Sequence, residues 1–329
     1  MNAKLTALTA LALSLALLGP VALAQASATP APASAAPAAA PDAEPLVVVA
    51  SLRVVGATID GERIAELSGL AWDADTQRLY AISDRGVLFR FALTLGANGQ
   101  LEVEALAASR LAPPPGSSSV DAEGLALTHA ADGIRGNSEL LVATEGQPRV
   151  IRYTLAGEAL ETLALPDGLD DPERFRRSNA MLEAVALHPE HGLLVAAEAP
   201  LAGEPSGQHR VVAAGRSWSF PSYPARNARL KGMDVMDDGR LLVLERAELG
   251  KGRSKTMVVV LREVDLAACA ALALCPVREL AVLDRVDEAD NFEGLADLGD
   301  GRVMLVSDDR GRSGRGTTFT VLQRRPATD

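Results

Sequence analysis

EGLADLGDGRVMLVSD, residues 293–308, holds an apolar segment opened by an acid and a glycine, then a Gly-Asp-Gly turn, then an apolar strand closed by a second acid. Short apolar runs on either side of such a turn read as two paired β-strands. The pattern recurs along the chain. Ser68-Gly-Leu-Ala-Trp-Asp leads to RLYAISD, Glu123-Gly-Leu-Ala-Leu to ELLVATE, Glu183-Ala-Val-Ala-Leu to HGLLVAAE, and Lys231-Gly-Met-Asp-Val to GRLLVLE. The copies open at positions 68, 123, 183, 231 and 293, so they stand 48 to 62 residues apart. That interval is too long for leucine-rich or ankyrin-type repeats and suits a four-stranded propeller blade with its loops.

Further strands are expected at Val87–Leu93, Val150–Leu155, Arg210–Ala214 and Thr256–Val264, which are β-branched or apolar and bounded by turn residues. Helical periodicity is nearly absent. Only one clear strand, Thr317–Gln323, follows the last copy, while LVVVASLRVV at Leu46–Val55 is spare at the other end. An N-terminal strand that completes the C-terminal blade would close the ring and remove its exposed edges. The fold class is therefore all-β, a single propeller spanning residues 46–325, with five blades by count and a sixth, degenerate blade as the alternative.

Ahead of this domain, Met1–Ala24 has the form of a signal peptide: Lys4, an apolar run Leu5–Leu18, and Ala22-Leu23-Ala24 as the cleavage site. Residues 25–45, QASATPAPASAAPAAAPDAEP, are rich in Ala and Pro and are expected to form an extended linker. No later stretch reaches the roughly 20 apolar residues of a membrane span, so a periplasmic or secreted monomer is expected. Its net charge of −11 disfavours nucleic acid as a partner. Cys269 and Cys275, the only cysteines, are expected to form a disulfide in an oxidising compartment. Lying six apart with no histidine nearby in sequence, they make a poor zinc set.

In a propeller the first strand of each blade lines the channel, so equivalent positions form rings. One ring holds Ser68, Glu123, Glu183, Lys231 and Glu293; a second, at the ends of the next strands, is read as Asp84, Glu145, Glu198, Glu245 and Asp308. Facing carboxylates need protonation, basic partners or a cation. Oxygen-only donors suit a hard cation, and the candidate Ca2+ ligands are Asp121, Glu123, Asn179, Glu183, Asn291 and Glu293. Arg85, Arg246 and Arg310 directly follow ring acids, and Arg149 and Arg177 lie close to others.

Asp121-Ala-Glu123-Gly-Leu, Arg177-Ser-Asn179-Ala-Met-Leu-Glu183, Asn291-Phe-Glu293-Gly-Leu and Val306-Ser-Asp308-Asp309 resemble, in order, the blade motifs of the phytase-like family known for "esterase-like activity of phytase". The resemblance runs from about Leu67 to Gln323. It departs at Met181 and Ala184, where family members often have glycine, and at Arg310, where Asn is common. It implies a propeller and a hydrolase of esters or phosphoesters.

A metal-assisted mechanism at the channel mouth would use Asp84 or Asp308 as general base, with Arg85, Arg177 or Arg310 stabilising the developing anion. A serine hydrolase fits less well. The sequence has no G-x-S-x-G, His188 and His191 flank Pro189 in an expected turn, and His129 and His209 are expected in surface loops. Trp72, Trp218, Phe220 and Tyr223 are read as packing between blades, and the Gly311–Gly316 segment as a charged hairpin loop. The alternative function is a non-catalytic platform that binds a glycan, peptide or protein and keeps its calcium for structure.

Overall fold

The computed structural model describes residues 45–250, 252, 255–271, 273–284, 291–312 and 314–325. The expected signal peptide, and the expected linker up to residue 44, lie outside the described residues. Strand β1 (Leu46–Val54) is followed by a small hairpin, β2 (Thr58–Ile59) and β3 (Glu62–Arg63). Four consecutive sheets come next. They are β4 (Leu67–Asp73), β5 (Arg78–Ser83), β6 (Val87–Leu95) and β7 (Leu101–Arg110); β8 (Ala122–Thr128), β9 (Glu139–Thr144), β10 (Arg149–Tyr153) and β11 (Ala159–Leu163); β12 (Leu182–His188), β13 (Gly192–Ala197), β14 (Gln208–Ala213) and β15 (Arg216–Pro221); and β16 (Arg226–Val235), β17 (Leu241–Leu249), β18 (Thr256–Val264) and β19 (Val277–Asp284). The fifth sheet joins β20 (Asn291–Gly299), β21 (Arg302–Asp308) and β22 (Thr317–Arg324) to β1.

β1 pairs antiparallel with β22 from Leu46↔Arg324 to Val54↔Thr317, so the first strand closes the last blade. The innermost strands β4, β8, β12, β16 and β20 each touch the next, and β20 returns to β4. This is a five-bladed propeller. An apolar layer fills each gap between neighbouring blades. Leu79, Phe89 and Phe91 meet Met304 and Phe319 at the closing seam, for example, while Trp218 and Phe220 meet Leu230 and Val243 between the third and fourth blades. Trp218 and Phe220 are thus core residues, as expected. Among the described residues no helix is long and apolar enough to cross a membrane.

Glycine in the repeat has a steric cause. A Cβ on Gly124 would lie 2.9 Å from both the Glu183 carbonyl oxygen and the Val185 nitrogen, and one on Gly69 would lie 2.9 Å from the Leu125 nitrogen. The inner strands converge on the axis, and glycine lets their backbones approach. The third blade carries Ala184 at this position. Because the Gly124 contacts are rigid backbone atoms, Gly124→Ala is expected to cost about 1–3 kcal/mol by overpacking, measurable by urea denaturation.

Cys269 and Cys275 form a disulfide that caps the β18–β19 connection and packs against the layer between the third and fourth blades. Replacing both with Ala is expected to lower stability by about 2 kcal/mol on the loop-entropy model, read from the shift in urea midpoint. The bond suits an oxidising compartment.

Candidate functional site at the channel mouth

Every inner strand carries a β-bulge at the same place. In the first blade Leu67 pairs with Ser83 and Gly69 with Ile82, which leaves Ser68 without a partner. Glu123, Glu183, Lys231 and Glu293 are the extra residues in the other four blades. A bulge re-aims the side chain of its extra residue. Here all five are aimed at the axis, and the first ring expected from the repeats is present.

The second ring needs one correction. Ser83, Thr144, Ala197 and Ser307 occupy equivalent register positions opposite the residue before each bulge, and the fourth blade places Glu245 there. The acids that face the channel are one residue further on, at Asp84, Glu145, Glu198 and Asp308, and their counterpart is Arg246. A one-residue offset in a strand reverses the face. Glu245 is accordingly fully buried away from the channel, where it accepts from Arg262 Nη1 at 2.6 Å and from the Tyr223 amide at 2.7 Å, with His209 Nε2 at 3.3 Å. Burial opposes its ionisation, but His209, Arg262 and that amide hold its pKa below the usual range.

The channel is electrostatically lopsided. Its basic groups come from the fourth blade. Lys231, 7% exposed, contacts Glu183 and lies 2.9 Å from Glu198 and 3.4 Å from Glu293. Arg246 reaches Glu293 at 2.9 Å and Arg229 reaches Glu198 at 3.4 Å. The first and second blades supply acids. Carboxylate oxygens of Glu123, Glu183 and Glu293 lie within 4.8 Å of one another, a spacing at which two ionised groups repel by about 3 kcal/mol at an effective dielectric near 20.

Glu123 takes the strain. Burial, then Glu183, Asp84 and Glu293, push its pKa far above the ordinary carboxylate range, whereas Lys231 and Arg246 overcome burial at Glu293 and hold it low. Asp84 is pushed up to about 8 by burial, then by Glu293 and Asp308, and its Oδ1 is buried without a hydrogen-bond partner. Asp308 rises to about 6 from burial and Glu293, although it accepts from the Arg310 amide and from Asn291 Nδ2 at 3.1 Å. Asn291 Nδ2 also donates to Glu293 at 2.7 Å, and its Oδ1 accepts from the Arg310 guanidinium at 3.3 Å.

The remaining expected site residues are dispersed. Asp121 and Glu145 line a pocket of about 290 Å³ beside the ring, together with Ser117, Ser119, Gln147 and Arg149. Arg85 is exposed and paired with Glu66, a residue the sequence reading passed over, two positions before Ser68 as Asp121 is before Glu123. Arg177 and Asn179 are exposed on the loop before β12 and share no described contact with the cluster. Two histidines differ from expectation: His188 ends β12 and is buried, its Nδ1 accepting from the Glu190 and His191 amides, and His209 lies in β14 at 1% exposure. Each is enclosed by blade packing that only the assembled ring creates.

The family model described as Phytase-like, esterase-like activity of phytase, matches residues 62–310, most of the propeller. The chain belongs to this family. Within the matched region of this phytase-like propeller lie both channel rings and the pocket at Asp121. No curated protein matches the chain. Among solved structures it is similar to "Crystal structure of RRP9 WD40 repeats" (10% identity, 86% of this chain and 100% of that one, TM-score 0.46) and to "Structure of U3-55K" (10% identity, 86% and 100%, TM-score 0.44). Likeness at that level carries nothing about function.

Proposed function

We propose that the protein is an exported, metal-assisted hydrolase of esters or phosphoesters, with its site at the acidic mouth of the channel. One observation carries this reading. Among the described residues Asp84 Oδ1 is buried without a hydrogen-bond partner and Glu123 forms no ion pair, the Ser68 hydroxyl and Lys231 offsetting only part of what burial and neighbouring acids do to these two groups. A wholly structural ion network would satisfy both groups, and perturbed acids at a cleft mark functional sites.

The donor set fits calcium. Asp84 and Glu123 would hold it, with Glu183 and Glu293 as further oxygen donors, since carboxylate oxygens of Glu123, Glu183 and Glu293 already lie within 4.8 Å of one another. When bound, calcium supplies polarisation of the scissile group's oxygen and acidifies a ligated water. The chain's own residues do the rest. Lys231 and Arg246 hold Glu293 ionised, while burial still pushes Glu183 up to about 8 despite its contact with Lys231, so a further cation would be drawn to the Glu123–Glu183 side. Asp308, with its pKa brought to about 6, would accept and return a proton at a carboxylate oxygen. Arg310, which donates to Asn291 Oδ1, would stabilise a developing anion. The pocket beside Asp121 and Glu145 gives a substrate room next to the acids.

The test is turnover by the purified protein on phosphate monoesters, phosphate diesters and carboxyl esters, with calcium or with chelator. Calcium-dependent hydrolysis is expected on one bond class, reduced about 100-fold or more in Asp84→Asn. Absence of turnover above that variant on every substrate overturns the proposal and leaves the binding platform.

A further inference from the structure

The channel has a second mouth, at the ends of the inner strands away from the acid rings. There a cavity of about 490 Å³ is bordered by residues from all five blades, within the size range of small-molecule sites. The waist between the two mouths, walled by Gly69, Gly124, Gly232 and Gly294 around Glu123 and Lys231, encloses only about 10 Å³. That is barely room for one water, so a ligand in one mouth does not reach the other.

The lining combines two chemistries. Trp72, Leu127 and Leu187 form its apolar border, with Leu187 39% exposed and Leu127 8%. His129 and Asp132, 3.1 Å apart, border the cavity, and Asp234, Asp237 and Asp297 supply its negative charge; among the described residues no lysine or arginine lines it, and Arg324 acts on Asp297 from an adjoining pocket. Asp234 and Asp297 are fixed in place. Asp234 Oδ1 accepts from the Val235 amide and its Oδ2 from the Asp297 amide, both at 2.8 Å, while Asp297 Oδ1 accepts from the Gly299 amide at 3.1 Å. A neutral sugar would leave the charge of Asp234 and Asp237 unmatched from within the cavity, and an anion would be repelled. A compact cation with an apolar body answers both features, through ion pairing and contact with an aromatic face.

We infer that the second mouth is a binding site for a small organic ammonium ion, whose apolar body packs against Trp72, Leu127 and Leu187 and whose charge is met by Asp234 and Asp297. The site is separate from the proposed hydrolytic one and stands whether or not that proposal holds.

The experiment titrates the full chain, by calorimetry and by tryptophan fluorescence, with 2-phenylethylammonium, its neutral analogue 2-phenylethanol and the anion 3-phenylpropanoate. The chain has two tryptophans, and Trp218, 4% exposed, sits in a core layer, so a ligand-dependent fluorescence change reports on Trp72. Saturable binding of the ammonium ion is expected, about tenfold or more weakened in the alcohol and absent for the anion. Asp297→Asn should weaken it by a similar factor, and Leu187→Lys, which puts a cation on an exposed rim position without disturbing the core, should block it. Asp84→Asn at the far mouth should leave it unchanged. Equal binding of ammonium and alcohol, loss in Asp84→Asn with retention in Leu187→Lys, or no saturation by any of the three would each overturn the inference.

Discussion

Lys231→Met is expected to lower the stability of the calcium-free protein by about 3–5 kcal/mol at pH 8, the usual consequence of removing one partner from a buried ion cluster. Lys231 answers three carboxylates at once, Glu183, Glu198 and Glu293. Methionine fills the space but leaves their charge. Arg246 and Arg229 still hold Glu293 and Glu198, so Glu183, which burial pushes up to about 8 even beside Lys231, is the group stranded. Two features separate this from ordinary core damage. The deficit should shrink as pH is lowered toward 5, because the freed carboxylates can then take up protons. Millimolar calcium should recover much of the loss, since a divalent ion can occupy the place of the ammonium among oxygen donors. Urea denaturation across pH with and without calcium reads both effects. A deficit independent of pH and calcium would show that Lys231 acts by packing alone.

Asp84→Asn is expected to stabilise the calcium-free protein at alkaline pH while abolishing its response to calcium. The sign follows from the direction of the shift. An aspartate whose pKa rises from an ordinary 3.8 to about 8 on folding is favoured in its protonated form by the native state. Its stabilising contribution is complete below 3.8, declines as pH rises through the interval up to about 8, and is constant beyond. Within that interval each pH unit costs up to about 1.4 kcal/mol. Asp308 adds a decline in the same direction that ends near 6, and Asp234, raised to about 7 at the other mouth, adds another. In chelator the wild type should therefore lose stability from pH 4 to 8, and calcium should flatten the profile. The asparagine variant removes the largest of these three contributions. Its melting temperature should exceed that of wild type at pH 8 in chelator, match it near pH 4, and rise no further when calcium is added. A flat wild-type profile in chelator would contradict this description of the ring.

Much of the molecule could be read in one dimension. The repeated acid-glycine opening, the turns, and the apolar strands ending in acids set the five blades and placed Glu123, Glu183, Lys231 and Glu293 on one ring. The spare strand at Leu46 and the short last blade together implied the closure that β1 and β22 make. The ring residues are local in origin, since each lies one position before the small residue of its repeat, Ala184 in the third blade and glycine in the other four, where a Cβ would crowd the neighbouring inner strand.

Other features belonged to the assembled ring. In the fourth blade GRLLVLE ends on an acid like its counterparts, but the pairing of Leu230 with Glu245 places that acid on the face away from the channel and brings Arg246 in. The sequence carries a trace of this offset, since GRLLVLE has one residue fewer between Gly-Arg and its acid than GRVMLVSD, but the face each position takes depends on which residue of the partner strand lies opposite. The burial of His188 and His209 is likewise a property of neighbouring strands and blades. Which acids are answered by a base and which are left to titrate depends on distances between side chains 30 to 250 residues apart in sequence, such as Lys231 to Glu198 and Arg63 to Asp309. Sequence alone determined a five-bladed acidic channel, because strand periodicity, turns and close-packing glycines act locally. Only the tertiary structure decided that one wall of that channel is neutralised and the other is not, because charge compensation acts through space across blades.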